Sequence, residues 1–486
     1  MTGPAVTGPA VTGPAGMSTV PDPAPSAVVA PTRADPFAAG ASERFGGPAG
    51  RRSTSPFGRH GRGPAVLALL ALTLLTFAVG LLTKAPCREV GWQRDVAFTH
   101  VCYSDIPLLY AERGLAAGQA PYLDSTVEYP VITGAVMGAT AYVTARLTPA
   151  GDALTRARTY FDVNALVLAL AAGATVVGLV GLAGTRPWDA ALFALAPGLA
   201  LSAVINWDLL AVALATLALL AWARRRPVLA GVLIGLATAT KLYPVLLLVP
   251  LLLLCLRAGR LAFFVRTAAA AAGAWGVVNV PVALAAPEAW AEFYTFSRER
   301  GASFGSPFYW LATEFGPLDN PDGAPTVLNL LSVGALLLLL LAISWLALSA
   351  PRRPRVAALG FLVVAAFCLT NKVYSPQYLL WLLPLAALAR PRWRDLLAWQ
   401  AAEALYYLAV WYHLSALDGD AKGLPLATYW LALWLHVVAT AAFAGLVVRD
   451  VLRPRLDPVR ASGMDDPAGG VLDEAVDAVV LRRTAW

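Results

Sequence analysis

The segment Cys102-Tyr103-Ser104-Asp105-Ile106-Pro107-Leu108-Leu109-Tyr110 follows the first long apolar run of the chain, and the rest of the sequence is interpreted outward from it. It continues through Gly114, Gly118 and Pro121-Tyr122 to Glu128-Tyr129-Pro130, which makes it the longest polar segment between apolar runs. Asp105 therefore offers a carboxylate close to the end of a predicted membrane span.

The composition indicates a polytopic membrane protein. Hydrophobic residues make up 58% and charged residues 14% of the 486 positions, and the mean hydropathy is +0.63. Soluble globular proteins carry far more charge. The predicted fold class is all-α, a transmembrane helical bundle over residues 64–450.

The two polar ends are predicted to be mostly disordered cytoplasmic tails. Residues 1–63 contain three near copies of Thr-Gly-Pro-Ala-Val, followed by Pro, Ala, Ser and Arg, and residues 451–486 are short and mixed. The first apolar run begins only near Pro64 and is long enough to span, unlike a signal peptide. We expect it to be retained as an anchor.

About twelve membrane spans are predicted from apolar runs of suitable length. The segment 129–147 is a doubtful thirteenth. The twelve lie at about 64–83, 160–183, 188–205, 208–223, 228–240, 243–257, 261–284, 326–349, 356–370, 377–390, 395–413 and 426–448.

Basic residues set the predicted orientation, because cytoplasmic loops of membrane proteins are enriched in Arg and Lys. The same rule explains the formal charge of +7 better than nucleic-acid binding, since Arg is spread over short loops rather than gathered on one face. The loops placed in the cytoplasm contain Arg51, Arg52, Arg59, Arg62, Arg224, Arg225, Arg226, Arg257, Arg260, Arg352, Arg353, Arg355, Arg390, Arg392, Arg394, Arg449, Arg453 and Arg455.

An even number of crossings must then join the N-terminus to Arg224, so one of five candidate spans does not cross. We choose 129–147, which opens with Pro130, is diluted by Gly and Thr, and ends at Arg146. It would lie along the interface or re-enter within the first extracytoplasmic loop. Alternatively, 188–205 and 208–223 form one re-entrant hairpin around Asn206-Trp207-Asp208.

This topology gathers the polar clusters on the extracytoplasmic face. They are Asn206-Trp207-Asp208, Lys241-Leu242-Tyr243-Pro244 and the segment 371–378, beneath loop 84–128 and the aromatic-rich loop 286–325. Ionisable groups at span ends, gathered on one side under two loops, indicate an active site more than a channel.

Each candidate residue also has a structural explanation. Asp105 could accept hydrogen bonds from Tyr103, Ser104 or Tyr110 and pair with Arg113, or could only cap a helix that has Pro107 in its first turn. Glu128 and Tyr129 could be an interfacial anchor, and Asp208 could favour a helix N-terminus.

Lys241 and Lys372 are predicted to bind phosphate, although a lysine at a span end can also extend to the membrane surface. Tyr243, Tyr374 and Gln377 accompany them as candidate binding residues.

Two further questions stay open from the residues alone. Cys87 and Cys102 are either free thiols or, in an extracytoplasmic loop, a disulfide that would contribute on the order of 3 kcal/mol. No metal motif is compelling, but Asp105 and Asp208 could hold a divalent cation. The sequence lacks a Walker-type loop, which argues against a nucleotide-hydrolysing transporter.

Taken together, these motifs resemble the C-type fold (GT-C) glycosyltransferases of actinobacterial membranes, in particular the polyprenol-phosphate-mannose-dependent mannosyltransferases of glycosyltransferase family 87. The resemblance covers about residues 64–450 and depends on the order and spacing of the motifs. They are Tyr103-Ser104-Asp105-Ile106 with Tyr110, Arg113-Gly114-Leu115, Gly118, Pro121-Tyr122, Glu128-Tyr129-Pro130, Asn206-Trp207-Asp208, Lys241-Leu242-Tyr243-Pro244 and Ser375-Pro376-Gln377-Tyr378-Leu379-Leu380-Trp381.

The resemblance implies a multi-pass cell-membrane enzyme whose first extracytoplasmic loop carries the catalytic carboxylate, here Asp105. The implied donor is a sugar on a polyprenyl phosphate, and the implied acceptor is a lipid or cell-envelope glycan. Such chemistry needs a general base and cations for the departing phosphate, for which Lys241, Lys372 and Arg113 are candidates. Mannose is favoured over arabinofuranose. A transporter or flippase of lipid-linked sugars and a non-catalytic scaffold are the other classes.

Overall fold

The computed structural model describes residues 28–46, 62–319, 325–419 and 422–481, and the regular elements in these ranges are all helical, which confirms the all-α prediction. The helices are α1 (Pro31–Ala34), α2 (Pro36–Gly46), α3 (Arg62–Leu82), α4 (Ala85–Val90), α5 (Arg94–Thr99), α6 (Asp105–Glu112), α7 (Val131–Leu147), α8 (Ala153–Leu182), α9 (Ala191–Ala194), α10 (Pro197–Ser202), α11 (Asp208–Ala223), α12 (Pro227–Thr240), α13 (Leu248–Arg257), α14 (Leu261–Ala285), α15 (Pro287–Glu299), α16 (Pro307–Phe315), α17 (Thr326–Ser349), α18 (Val356–Thr370), α19 (Leu379–Ala389), α20 (Trp393–Leu417) and α21 (Leu426–Leu452).

Within the described ranges, five helices are long and apolar enough to cross a membrane: α3, α8, α14, α17 and α21. Six further apolar helical segments are shorter, at 10–17 residues, and several of them, such as α11 and α18, are buried among the long ones. The structure thus supports a membrane-embedded helical bundle, while the number of twelve crossings stays a prediction.

The predicted span 188–205 is not a continuous helix. It consists of a 3-10 turn (Pro187–Ala190) and the short helices α9 and α10. Pro197 lacks a backbone N–H and restricts the residue before it, so helices seldom continue through such a position. The segment is buried within the protein, and its apolar composition therefore reflects core packing rather than contact with lipid.

The described basic loops converge at one end of the bundle, which we call the basic end. There the C-terminal segment 454–481 runs across the loops with three 3-10 turns, contrary to the disorder expected for it. Arg355 pairs with Asp457 at 2.7 Å, and Arg257 pairs with Asp477 at 2.7 Å. Both guanidinium groups also donate to backbone carbonyls, so this segment is an integral part of the fold.

The N-terminal tail is described only in part. Most of the predicted disordered segment 1–63 lies outside the described residues, but α1 and α2 are formed within it. Asp35, between these helices, accepts a hydrogen bond from the backbone N–H of Trp393. The described part of the tail therefore lies close to the N-terminus of α20, at the basic end.

The opposite end carries the first long loop and a deep cavity, and we call it the cavity end. Helices α4, α5 and α6 follow α3 there, and a disulfide between Cys87 and Cys102 closes the loop. Helix α7 packs against the part of α8 nearest this loop, where Tyr160 donates to the carbonyl of Met137 and Asp162 pairs with Arg88. These contacts place the loop, α7 and the start of α8 together.

Candidate active site

The cavity at the cavity end has a volume of about 460 Å³ and is bounded by segments distant in sequence. Its walls come from one face of α6, the C-terminal part of α15 and one face of α20. The residues that line it are Phe98, Tyr103, Asp105, Leu108, Leu109, Glu112, Glu128, Tyr129, Ile205, Asn206, Lys241, Phe293, Phe296, Ser297, Arg300, Ser303, Phe304, Gly305, Ser375, Pro376, Gln377, Tyr378, Tyr406, Val410, Trp411 and Leu414.

Asp105 is the half-buried first residue of α6, and its carboxylate faces the cavity. Tyr103 donates its hydroxyl to one carboxylate oxygen at 2.7 Å, and Tyr129 donates to the other at 3.3 Å. The side chain that caps α6 belongs to Ser104, whose hydroxyl accepts from the N–H of Ile106. The capping role considered for Asp105 is therefore taken by its neighbour.

Burial raises the pKa of Asp105 above the ordinary carboxyl value, although the bond from Tyr103 and the nearby Lys241 charge partly oppose the shift. A raised pKa makes a carboxylate a stronger base. Two tyrosine hydroxyls fix its orientation without neutralising it, because each donates a hydrogen bond but carries no charge.

Lys241 and Asp208 form an ion pair of 2.8 Å behind Asp105. Asp208 is only 1% exposed and accepts a second bond from the indole N–H of Trp381 at 2.9 Å. Lys241 is 15% exposed, lines the cavity, and lies 5.0 Å from the ring centre of Tyr129. Asp208 thus holds a lysine ammonium at the cavity wall.

The remaining predicted residues divide between the cavity and its surroundings. Glu128 and Gln377 line the cavity. Arg113 forms a two-point ion pair with Glu128, at 2.8 and 3.0 Å, so its charge is already engaged. Tyr110 and Tyr243 lie away from the cavity and stack on Tyr160 and Trp381, while the hydroxyl of Tyr374 contacts that of Thr440.

Lys372 lies outside the cavity wall. Its ammonium donates to the carbonyl of Arg298 at 2.9 Å and joins the end of α15 to the loop after α18. Its pKa is lowered to about 8 by burial. Since its ammonium bonds the protein's own backbone, the structure gives Lys372 an anchoring contact rather than the predicted position at a phosphate.

Several cavity residues were missed by sequence reasoning. Arg300 lines the cavity just after the aromatic helix α15, and a cation in a loop assigned to the outer face was a usable signal. Glu112 lies at the other end of α6 from Asp105, and its seven-residue spacing puts both on one helix face. Trp411 stacks on Tyr103 at 4.6 Å, but nothing in its apolar span distinguished it.

Gly305 is required where the segment between α15 and α16 approaches the bundle beside the cavity. A Cβ at this position would lie 2.0 Å from the carbonyl oxygen of Tyr374 and 2.2 Å from the hydroxyl of Tyr406. Both atoms belong to segments that line or support the cavity. Because a Cβ at position 305 would overlap them, only glycine permits this approach.

The donor set does not fit the divalent cation considered for Asp105 and Asp208. The oxygens of Asp105 accept from two tyrosines, and those of Asp208 from Lys241 and Trp381. A metal would have to displace an ammonium and three hydrogen bonds. In addition, no cluster of three metal-binding side chains occurs among the described residues.

A second, more open groove of about 730 Å³ adjoins the cavity, and Glu112 belongs to both. The groove lies between residues 112–126 and the start of α15. Carboxylates of Glu112, Asp124 and Glu288 line it, and the cation on its wall, Arg113, is paired with Glu128. We call it the outer groove.

Comparison with known protein families points to a glycosyltransferase. Residues 129–370 match the model of glycosyltransferase family 87, a segment that includes Tyr129, Asp208 and Lys241. The match supports assignment to that family and thereby a membrane glycosyltransferase. Asp105 precedes the matched residues. No curated protein matches the sequence significantly.

Proposed function

We propose, with the family 87 match as the premise, that this protein transfers a sugar from a polyprenyl phosphate to a lipid or cell-envelope glycan, with Asp105 as general base. The observation that carries the proposal is the position of Asp105 in the cavity, oriented by Tyr103 and Tyr129 and close to the Lys241–Asp208 pair. A half-buried carboxylate and a held cation in one cavity are the two groups that this reaction needs.

The reaction is a single displacement. The carboxylate of Asp105 accepts the proton of an acceptor hydroxyl as the hydroxyl oxygen bonds to the anomeric carbon. The bond between that carbon and the phosphate oxygen breaks, and its electron pair leaves with the polyprenyl phosphate. Protonated Asp105 then returns the proton to water. Attack opposite the leaving group inverts the anomeric carbon, as in inverting glycosidases.

Lys241 and Arg300 are proposed to bind the donor phosphate in place of Lys372. Both line the cavity, whereas Lys372 bonds a backbone carbonyl outside it. Lys241 is already oriented by Asp208, so little reorganisation is needed when charge develops on the leaving phosphate. Since polyprenyl phosphate leaves without protonation, a second carboxylic acid is not required for the chemistry.

The outer groove supports a neutral acceptor that enters past Glu112. Carboxylates accept hydrogen bonds from sugar hydroxyls but repel phosphate, and Arg113 on the groove wall is neutralised by Glu128. The acceptor would therefore approach Asp105 along the acidic outer groove, and the donor phosphate from the side that carries Lys241 and Arg300. We propose mannose as the sugar and the extracytoplasmic face as the side, with arabinofuranose as the alternative sugar.

The test is the transfer of labelled mannose from polyprenyl phosphate by the protein in lipid nanodiscs, with glycans from membranes lacking the protein as acceptors. Asp105→Asn should keep donor binding and lose activity by about 100-fold or more, the usual scale for a positioned base. Asp162→Asn, which alters a carboxylate paired with Arg88 outside the cavity lining, is the matched control.

Normal transfer by a folded Asp105→Asn protein would refute the base assignment. Movement of lipid-linked sugar across vesicles without transfer would instead identify a flippase. Transfer from an arabinofuranosyl donor but not a mannosyl donor would replace the proposed sugar and leave the mechanism in place.

A further inference from the structure

Lys84 is a buried cation that the proposed mechanism does not use. It follows α3, and its side chain is 0% exposed. Its ammonium donates to the carbonyl of Tyr103 at 3.1 Å and to the hydroxyl of Tyr407 at 3.0 Å. Both partners are neutral, and burial lowers the pKa of Lys84 to about 7.

This placement differs from that of an ordinary lysine at a span end. Such a lysine normally extends its ammonium to water at the membrane surface and keeps only its methylene groups in apolar surroundings. Lys84 instead turns inward, where a charged group is costly unless it is well bonded. Membrane topology therefore does not explain its position, but its two contacts do.

Those contacts join three elements at the cavity wall. Lys84 lies between α3 and α4, Tyr103 in the segment before α6, and Tyr407 in α20. The hydroxyl of Tyr407 also approaches the carbonyl of Val101 at 3.5 Å. Lys84 thus fastens the backbone just before Asp105 to two long helices.

Tyr103 transmits this restraint to the carboxylate. Its carbonyl accepts from Lys84, its hydroxyl donates to Asp105 at 2.7 Å, and its ring stacks on Trp411 at 4.6 Å. A shift of the Tyr103 backbone would therefore lengthen the shorter of the two tyrosine bonds to Asp105.

We infer that Lys84 is a positioning residue for the catalytic base: it holds the Tyr103 backbone where the tyrosine hydroxyl orients Asp105. This inference rests on the proposed function. Lys84 touches neither Asp105 nor the cavity, so it acts only through Tyr103.

The pH dependence of transfer separates this role from a merely structural one. The groups that face Asp105 are Tyr103, Tyr129, Lys241 and Asp208. A hydrogen bond to a carboxylate stabilises its charged form, so loss of the Tyr103 bond raises the pKa of Asp105 further. The base must be deprotonated to act. On acidification, activity would therefore begin to fall at a higher pH than in the wild type.

The experiment compares Lys84→Met with wild type, using kcat across pH, donor KM and thermal unfolding. We expect kcat at neutral pH to fall about 10-fold, which is only part of the roughly 10²–10⁴-fold that a positioned general base contributes. The acid limb of the pH profile, where kcat falls on acidification, should move to higher pH, while donor KM changes little. Tyr103→Phe should move the limb in the same direction, and the double variant should move it no further.

Two variants guard against a folding artefact. Arg257→Met removes a buried cation at the basic end and should lower stability without moving the acid limb. If Lys84→Met folds poorly, Lys84→Gln keeps N–H donors without a charge and should give a smaller shift in the same direction. An unmoved limb in either folded Lys84 variant would overturn the inference.

The outcome also distinguishes the inference from the proposed function. If wild type transfers sugar and Asp105→Asn does not, but Lys84 variants keep the wild-type profile, only the positioning role fails. If wild type transfers no sugar, the proposed function fails and the positioning role with it.

Discussion

At the scale of single residues, the two lysines predicted to bind phosphate have different surroundings. Lys241 lines the cavity and is held by a buried carboxylate, whereas Lys372 donates to the carbonyl of Arg298. Their sequence contexts are alike, since each follows an apolar helix and precedes a tyrosine. The direction of the side chain, which depends on tertiary contacts, separates them.

Lys241→Met should therefore impair use of the donor more than Lys372→Met. A bond to a charged group contributes about 1.5–3 kcal/mol, so donor KM should rise roughly 10- to 100-fold for Lys241→Met. The measurement is donor titration at saturating acceptor. Because Lys241→Met leaves Asp208 buried and unpaired, the double variant with Asp208→Asn tests whether restored stability restores donor use. Equal effects of the two single lysine variants would contradict this assignment.

At the scale of elements, the first long loop is constrained close to the carboxylate of Asp105, the proposed base. The Cys87–Cys102 disulfide ends three residues before Asp105, and the backbone N–H of Asp105 donates to the carbonyl of Ile205. The amide of this residue is thus tied to the segment before α11 while its side chain faces the cavity. The loop that sequence analysis placed above the polar clusters thus forms a constrained wall of the cavity.

The C-terminal segment provides the second element-scale prediction. Arg355 is 2% exposed and pairs with Asp457, so Asp457→Ala leaves a buried guanidinium without its carboxylate. Breaking such a pair typically costs about 3–5 kcal/mol, and we expect a clear fall in the thermal unfolding temperature. Asp473→Ala is the control, because Asp473 of the same segment pairs with Arg225 at the surface, where the two side chains are 38% and 61% exposed and such a pair contributes roughly 0–1 kcal/mol. If Asp457→Ala unfolded at the same temperature as the control variant, the result would show that the segment does not stabilise the bundle.

At the scale of the whole molecule, the described basic loops and both described tail segments lie at one end, and the cavity lies at the other. With the basic end in the cytoplasm, single cysteines in a background without the native four should label from outside at Gln119 and Glu299. A cysteine at Arg225 should label only after the membrane is permeabilised, because positively charged loops are retained inside. External labelling at position 225 would reverse the orientation.

Sequence reasoning predicted the helical class and the polar clusters near Asp105, Asp208 and Lys241, because interrupted hydrophobicity is a local property. It could not predict that 188–205 is broken and buried, since core segments and spans share the same composition. It also gave Lys84 no role, because only the folded structure shows that its ammonium turns inward. The order of the C-terminal segment was missed for a related reason: its acids become stabilising only beside arginines distant in sequence.

The position of the C-terminal segment also has a consequence for biosynthesis. Residues 454–481 are made after the segments that carry Arg257 and Arg355, yet their carboxylates complete the pairing of both arginines. With the basic end in the cytoplasm, these guanidinium groups are still without those carboxylates while the helices are being inserted, and their charge favours retention of the segments inside. This end of the bundle therefore closes only after residues 454–481 have left the ribosome.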